Sequence, residues 1–414
     1  MTHLTQSRVT VISTPLTEQS LARFRWLADH GHALLEDSSA AANHFEACEF
    51  AWQTALMRAQ LAMHKRLRRR FPDPKKWLWT DRSLAQASDW WTANFKASLF
   101  PQSERVADVC CGAGVDLVAI SGRGPAVGID SDDCLVLLAG ANARAHGLNP
   151  ELNVETVSAA SEIPAQWLHI DPDRRPADRR TIQADSFSPS LTEILSLASQ
   201  AKGAVVKLAP STQLTPQLDN RVTTECDRIW LGCYGECRQQ VLLTGLLRQR
   251  EPGMRSALLL APNENQAEQL GSGCFICIEY VGLCETADVV DEHRQYVYDL
   301  HNVLHASSLH ASWASTHQLQ AISSSSGYYT SDHLVHSPFA QAFKIRDTLP
   351  WDDRRVRRWL HKNRIREVEV KSRNCRIDAS AFQKKYSRDT GDHNVTLLVT
   401  EIAGKIRALV AARV

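Results

Sequence analysis

Residues 106–116 read VADVCCGAGVD, an apolar run that ends in two cysteines and passes into Gly112 and Gly114. A strand that stops in a glycine-rich turn before a helix offers bare backbone amides to a nucleotide-like ligand. The Gly-Lys-Ser or Gly-Lys-Thr ending of a phosphate loop is missing, and Leu117 stands where a dinucleotide fingerprint has its third glycine. What remains is an acidic-x-small-x-Gly-x-Gly pattern made by Asp108, Cys110, Gly112 and Gly114. Residues without a large side chain let a ligand lie on the backbone, and cysteine is small and apolar enough for position 110. A tight turn alone has the same glycines. Two further stretches carry oxygen acceptors. AVGID places Asp130 sixteen residues beyond Gly114, where a carboxylate can take both hydroxyls of a ribose or cap the next helix. LHIDPDRR places Asp171 and Pro172 at the end of another apolar run, followed by Arg174 and Arg175. The two arginines suit a phosphate or carboxylate, or an ordinary surface. Lys207 in VVKLAP either points into the same crevice or lays its stem along a sheet.

These residues need strand ends to hold them. From residue 105 onward RVADV, PAVGID, LNVETV, WLHID and GAVVKL alternate with helical stretches such as CLVLLAGANARAHG and SLTEILSLASQ. That rhythm predicts βαβ units around a mostly parallel sheet. CDRIWLGC and CRQQVLLTGL flank Tyr234-Gly235 as an antiparallel edge hairpin, and SALLLAP extends the sheet. Upstream, LARFRWLADHGHALLE and FEACEFAWQTALMRAQLAMHKRLRRR space their apolar residues by three and four, predicting amphipathic helices. The prolines of FPDPKK end the second, and Ser83 with Gln86 predicts a capping box for a third. Downstream, WDDRRVRRWLHKNRI predicts a basic helix, VEVKSR a strand, and VTLLVTEIAGKIRALVAA two strands around Ala403-Gly404. The expected organisation is a helical region over 1–100, an α/β Rossmann-like core over 101–265, a connecting region over 266–340 and a small basic α+β domain over 341–414.

With 414 residues, 43% hydrophobic and 22% charged, the chain has the composition of a globular protein of more than one domain. No apolar run approaches a membrane span, and MTHLTQSRVTVIST lacks the segments of a signal peptide, so a cytoplasmic location is expected. Eleven scattered cysteines do not suggest a disulfide framework. Cys226, Cys233, Cys237, Cys274, Cys277 and Cys284 are dense, but only CFIC has the two-residue spacing of a zinc ribbon, so no metal is expected. A covalent mechanism through Cys233 or Cys237 is not adopted, because hairpin cysteines are usually structural. The net charge of +1 hides an asymmetry: residues 344–414 hold 18 Lys and Arg against 9 Asp and Glu, leaving an acidic remainder. KRLRRRFPDPKK and RRVRRW are placed to follow a phosphate backbone, with Trp351 or Trp359 as a stacking surface, or simply to face solvent.

Taken with their flanks, DVCCGAGVD, GIDSDD, IDPDRR, VKLAP and GECRQQVLL, preceded by WTDRSLAQAS and followed by RRVRRWLHKN and VEVKSR, resemble bacterial class I S-adenosylmethionine-dependent methyltransferases with a C-terminal THUMP-like domain. The resemblance runs from about residue 76, weakly between 262 and 335. It implies S-adenosyl-L-methionine as cofactor, held by Asp108 at the methionine amino end, by Cys110, Gly112 and Gly114 at close approach, and by Asp130 at the ribose. It implies Asp171 and Pro172 at the methyl acceptor and RNA as a partner of the C-terminal domain; Arg174, Arg175 and Lys207 are the substrate-binding candidates by their own chemistry. Two features depart from the family's pattern. The third strand is followed by Ser158 rather than an adenine-binding Asp, and Asp173 and Arg174 stand where many amino methyltransferases carry a stacking aromatic. Alternatives are a methyltransferase of a small anionic metabolite and a non-catalytic RNA-binding protein on the same scaffold.

Overall fold

The computed structural model describes residues 18–37, 50–65, 67, 70–174, 181–262, 275–324, 327–387 and 391–414. The chain divides into two compact units, one comprising Met1–Cys226, Val241–Gln249 and Pro262–Phe275, the other Asp227–Gln240, Arg250–Ala261 and Ile276–Val414.

In the first unit the order is α1 (Glu18–Asp37), α2 (Ala51–Lys65), α3 (Asp81–Gln86), α4 (Trp90–Ser98), β1 (Val106–Val109), α5 (Val115–Ser121), β2 (Ala126–Asp130), α6 (Asp133–Ala145), β3 (Glu151–Val154), β4 (Trp167–Ile170), α7 (Leu191–Ala198), β5 (Gly203–Leu208) and α8 (Pro216–Glu225). The strands lie side by side as β3-β2-β1-β4-β5 and are mutually parallel. Strands β1, β4 and β5 are buried along their whole length, which is why their sequences are mainly apolar rather than alternating, each broken by one buried polar residue: Asp108, His169 and Lys207. Their core joins Val109, Ile129, Ile170 and Val206 to Leu191 and Ile194 of α7. Chain order reverses direction at β1, so the carboxyl ends of β1, β2 and β4 open onto the crevice where such sheets bind ligands.

Local capping fixes where the helices begin. Asp132 accepts hydrogen bonds from the amides of Cys134 and Leu135 and starts α6, while Ser190 and Glu193 form a capping box on α7. The capping box expected of Ser83 and Gln86 is instead made by Thr80 and Ser83, so α3 begins at Asp81. Threonine caps as well as serine does, and the earlier box leaves Gln86 free for another task.

The second unit contains β6 (Asp227–Cys233), most of β7 (Glu236–Leu243) and β8 (Arg255–Pro262), with β6 and β8 parallel, and β9 (Phe275–Gly282) beside β8. Strand β7 turns back from β6 through Tyr234 and Gly235, both at positive φ, as the hairpin reading requires; it ends in the first unit, next to β5. There follow β10 (Val289–Val290), β11 (Tyr296–Leu300), α9 (Asn302–Ala306), α10 (His310–Thr316), β12 (Gln320–Ile322), β13 (Tyr329–Ser331), β14 (Ala340–Pro350), α11 (Asp353–Lys362), β15 (Ile365–Ser372), α12 (Ala379–Tyr386), β16 (His393–Ile402) and β17 (Lys405–Arg413). Strands β10 to β17 form one sheet in the order β10-β12-β13-β11-β14-β17-β16-β15. The stretch read only as a connection thus supplies four strands that pair with those of the basic C-terminal segment. Its short strands and interspersed helices give no sustained periodicity to read. Helix α12 was also not legible, while the β16–β17 hairpin turns at Ala403 and Gly404 as expected. Among the described residues no helix is long and apolar enough to cross a membrane.

Candidate functional site

The glycine loop leaves β1 through Cys110, which adopts φ 60°, then Gly112 at 56° and Gly114 at 84°. Left-handed backbone favours glycine, so the cysteine at 110 sits in a conformation where a third glycine would be at ease. The two glycines are required for different reasons. A Cβ on Gly114 would stand 2.9 Å from Cβ and 3.0 Å from Cα of Ala139, so this glycine lets α6 pack against the loop. A Cβ on Gly112 would meet nothing within 4 Å, because this residue faces an open cavity.

That cavity measures about 290 Å³, at the lower end of small-molecule sites, which run from ~300 to ~1,000 Å³. Cys110, Gly112, Asp130, Asp171, Pro172 and Arg174 all line it. Asp130 accepts a hydrogen bond from the Gly112 amide (2.8 Å) and another from the Asp132 amide (3.0 Å). Burial pushes its carboxyl above the ordinary range, against the effect of those two donors. Each carboxylate oxygen retains acceptor capacity. Burial, with Asp130 and Asp171 nearby, also pushes the Cys110 thiol well up, and burial holds Cys237 up at about 12, so neither is a ready thiolate.

Asp171 follows β4 and accepts from Lys207 Nζ at 2.5 Å. Lys207, on β5 and 7% exposed, also donates to the Gln86 carbonyl at 3.0 Å and does not line the cavity. The expected substrate contact is therefore corrected: the ammonium is spent inside the protein, fixing Asp171. Asp173 receives Arg82 (2.7 Å) and the Gln86 side chain (2.9 Å), so α3 is tied to the loop after β4. Arg174 reaches the cavity wall. Arg175 lies outside the described residues, as do Cys274 and part of the basic stretch at 65–76.

Asp108 is also corrected. Its carboxylate is wholly buried and does not line the cavity. The parallel register sets Asp108 beside His169, and the two side chains meet at 2.6 Å. Sequence reasoning passed over His169, and it passed over Lys96 and Asp116, which pair at 2.7 Å with Ser88 bridging them. A single lysine within WWTANFKAS was the available signal, since a lysine on a buried aromatic helix needs a partner. Ser158 is exposed, hydrogen-bonds within its own turn and is not on the cavity wall.

Charge discriminates among ligands. Asp116, Asp130, Asp132, Asp171 and Asp173 face Arg82 and Arg174, so carboxylates outnumber cations on the wall. A phosphate-rich ligand is repelled by such a surface and a cationic one is attracted.

Comparison with known proteins agrees. Residues 340–413 match the family model described as THUMP domain-like. A relative in two strains of Mycobacterium tuberculosis, named as an uncharacterized S-adenosylmethionine-dependent methyltransferase, is 26% identical over 81% of this chain and 88% of its own length. This chain is an S-adenosylmethionine-dependent methyltransferase whose C-terminal segment is similar to THUMP domains. A crystal structure from Porphyromonas gingivalis W83, solved as a candidate methyltransferase, shares the methyltransferase's fold with a TM-score of 0.66 at 19% identity, covering 97% of this chain and 99% of that one. S-adenosylmethionine is the cofactor of the methyltransferase. The residues present fit it: open space over Gly112, a carboxylate with spare acceptors at Asp130, and an anionic wall for a sulfonium ligand.

Proposed function

We propose that this methyltransferase modifies RNA, transferring a methyl group to a base. The observation that carries the reading is the surface of α11 in the THUMP-like domain. Arg354, Arg355, Arg358 and Lys362 are exposed there, and among the described residues none of them has an ion-pair partner. Exposed cations on one short helix that have no ion pair among the described residues suit a polyanionic backbone.

S-adenosylmethionine supplies an electrophilic methyl group when bound. Gly112 leaves the backbone bare for it, and Asp130 accepts from ribose hydroxyls while bracing the loop through the Gly112 amide. On the acceptor side Asp171 and the carbonyl of Pro172 take hydrogen bonds from the target amine, aligning its lone pair for displacement. Lys207 holds the Asp171 carboxylate in place through their hydrogen bond. Arg174 adds a cation to the cavity wall. The anionic wall disfavours a small anionic metabolite inside the cavity, which is why RNA, held mainly by a separate basic domain, is preferred.

The test is transfer of labelled methyl from S-adenosylmethionine to total cellular RNA, with a nuclease-treated sample and a small-molecule pool as comparisons. Label retained in nuclease-sensitive polymer supports the reading. Label confined to the small-molecule pool overturns it.

A further inference from the structure

The first unit holds two buried side-chain pairs, Lys96 with Asp116 and Asp108 with His169, and the family pattern explains neither. Lys96 on α4 is 1% exposed, yet it carries an ammonium whose partners among the described residues are Asp116 at 2.7 Å and Ser88 at 3.0 Å. Taking such a group out of water costs several kcal/mol unless its partner is fixed and ionised. Asp116 stands in the first turn of α5, just after Gly114, and its side chain is 9% exposed, reaching the cavity wall. Ser88 Oγ donates to its second oxygen at 2.8 Å. Burial works against the charge of Asp116, but Lys96, His169 and Lys207 around it hold its carboxyl below the ordinary range. Without Lys96 the same burial would favour the protonated carboxyl, a hydrogen-bond donor. Asp108, by contrast, is sealed away: it touches His169, and its other oxygen has no hydrogen-bond partner among the described residues.

We propose that Asp116, rather than Asp108, is the carboxylate that receives the ammonium at the amino-acid end of S-adenosylmethionine, and that Lys96 and Ser88 are positioning residues that keep it ionised and aimed at the cavity. The assignment rests on S-adenosylmethionine occupying this cavity. Asp116 and Ser88 line the cavity and Lys96 does not; beyond its bonds to Lys96 and Ser88 the carboxylate keeps lone pairs for one further donor. The groups facing Asp116 come from every neighbouring element: Lys96 from α4, Asp108 from β1, His169 from β4 and Lys207 from β5.

Calorimetric titration with two ligands tests it: S-adenosylmethionine, and 5′-methylthioadenosine, which has the nucleoside and sulfur but no amino-acid end. Asp116→Asn is expected to weaken S-adenosylmethionine at least about tenfold and methylthioadenosine less than about threefold, since one charge-assisted hydrogen bond is removed. Asp108→Asn is expected to shift both ligands by the same factor. Lys96→Met is expected to impair S-adenosylmethionine more at about pH 6 than at about pH 8, because the unsupported Asp116 must then ionise by itself. Should that variant fail to fold, Lys96→Met combined with Asp116→Asn removes both buried charges and is expected to reproduce the ligand selectivity of Asp116→Asn. Equal weakening of both ligands by Asp116→Asn, or selective loss in Asp108→Asn, overturns the assignment while leaving the cofactor site standing. Failure of the unaltered protein to bind either ligand overturns the site itself.

Discussion

Lys207 Nζ lies 2.5 Å from Asp171 Oδ2, joining the ends of two adjacent strands beneath the acceptor side of the cavity. The pair is mostly screened from water, with side-chain exposures of 8% and 25%. Lys207→Met leaves Asp171 without its counter-charge but does not touch the cavity wall. Turnover is expected to fall about 10- to 100-fold, equivalent to ~1.4–2.7 kcal/mol in the barrier. The dissociation constant for S-adenosylmethionine should move less than about threefold, so kinetics and calorimetry together check the assignment.

The two loop glycines should fail in opposite ways. Gly114→Ala pushes a methyl into Ala139 at positive φ and is expected to cost ~2–3 kcal/mol of stability, seen as a lowered midpoint in denaturant. Gly112→Ala meets no protein atom and should cost only ~1–2 kcal/mol, from backbone strain. Its methyl intrudes on the cavity, so cofactor affinity should fall at least about tenfold.

Asp130→Asn removes the charge that accepts from Gly112 and Asp132. Cofactor affinity is expected to drop about 10- to 100-fold, or ~1.4–2.8 kcal/mol. In the unaltered protein burial raises this carboxyl, so affinity should begin to fall at a higher pH than an ordinary aspartate would give as the solution is acidified. The stability term has the opposite sign. A raised folded-state pKa favours the protonated form, so this group's contribution is present below the unfolded value of ~3.9 and is lost as pH rises through the folded value. Titrations of binding and of unfolding against pH should therefore diverge in this range.

Asp299 in β11 is an acid-sensitive point of the second unit. It accepts from Lys371 at 2.7 Å and from Arg373 at 2.5 Å. Burial opposes its ionisation, but Arg373 and Lys371 prevail and hold its carboxyl below the ordinary range. With a depressed folded-state pKa, its contribution is present above the unfolded value of ~3.9 and is lost as pH falls through the folded value. Asp299→Asn is expected to cost ~2–3 kcal/mol near neutrality and to flatten the acid limb of the stability curve.

Replacing Arg354, Arg355 and Arg358 together by Gln should weaken RNA binding more at low salt than at high salt. For a single strand, every phosphate left without its cation lowers the slope of log affinity against log salt by ~0.7. An unchanged slope in filter binding would remove α11 from the RNA interface.

Much of the catalytic unit was legible because its signals are local. A fully buried parallel strand is predominantly apolar, a turn at positive φ calls for small residues, and a helix start needs an oxygen cap. Strands β1 to β5, the loop at Gly112 and Gly114, and Asp130 and Asp171 at strand ends followed from those rules. Tertiary structure decided what each polar side chain does, since that depends on partners distant in sequence. Asp108 looked like a ligand residue, but the register of β1 against β4 turned it onto His169, 61 positions away. Lys207 and Asp171 are 36 apart, and Lys96 reaches Asp116 across α4 and the loop. The strands of 289–331 were invisible for a related reason: short strands acquire their meaning from pairing with one another and, through β11, with β14. Sequence specified the backbone scaffold of the site through conformational preference and burial, whereas the allocation of charge within it was settled by proximity in the folded chain, where low dielectric makes each pairing decisive.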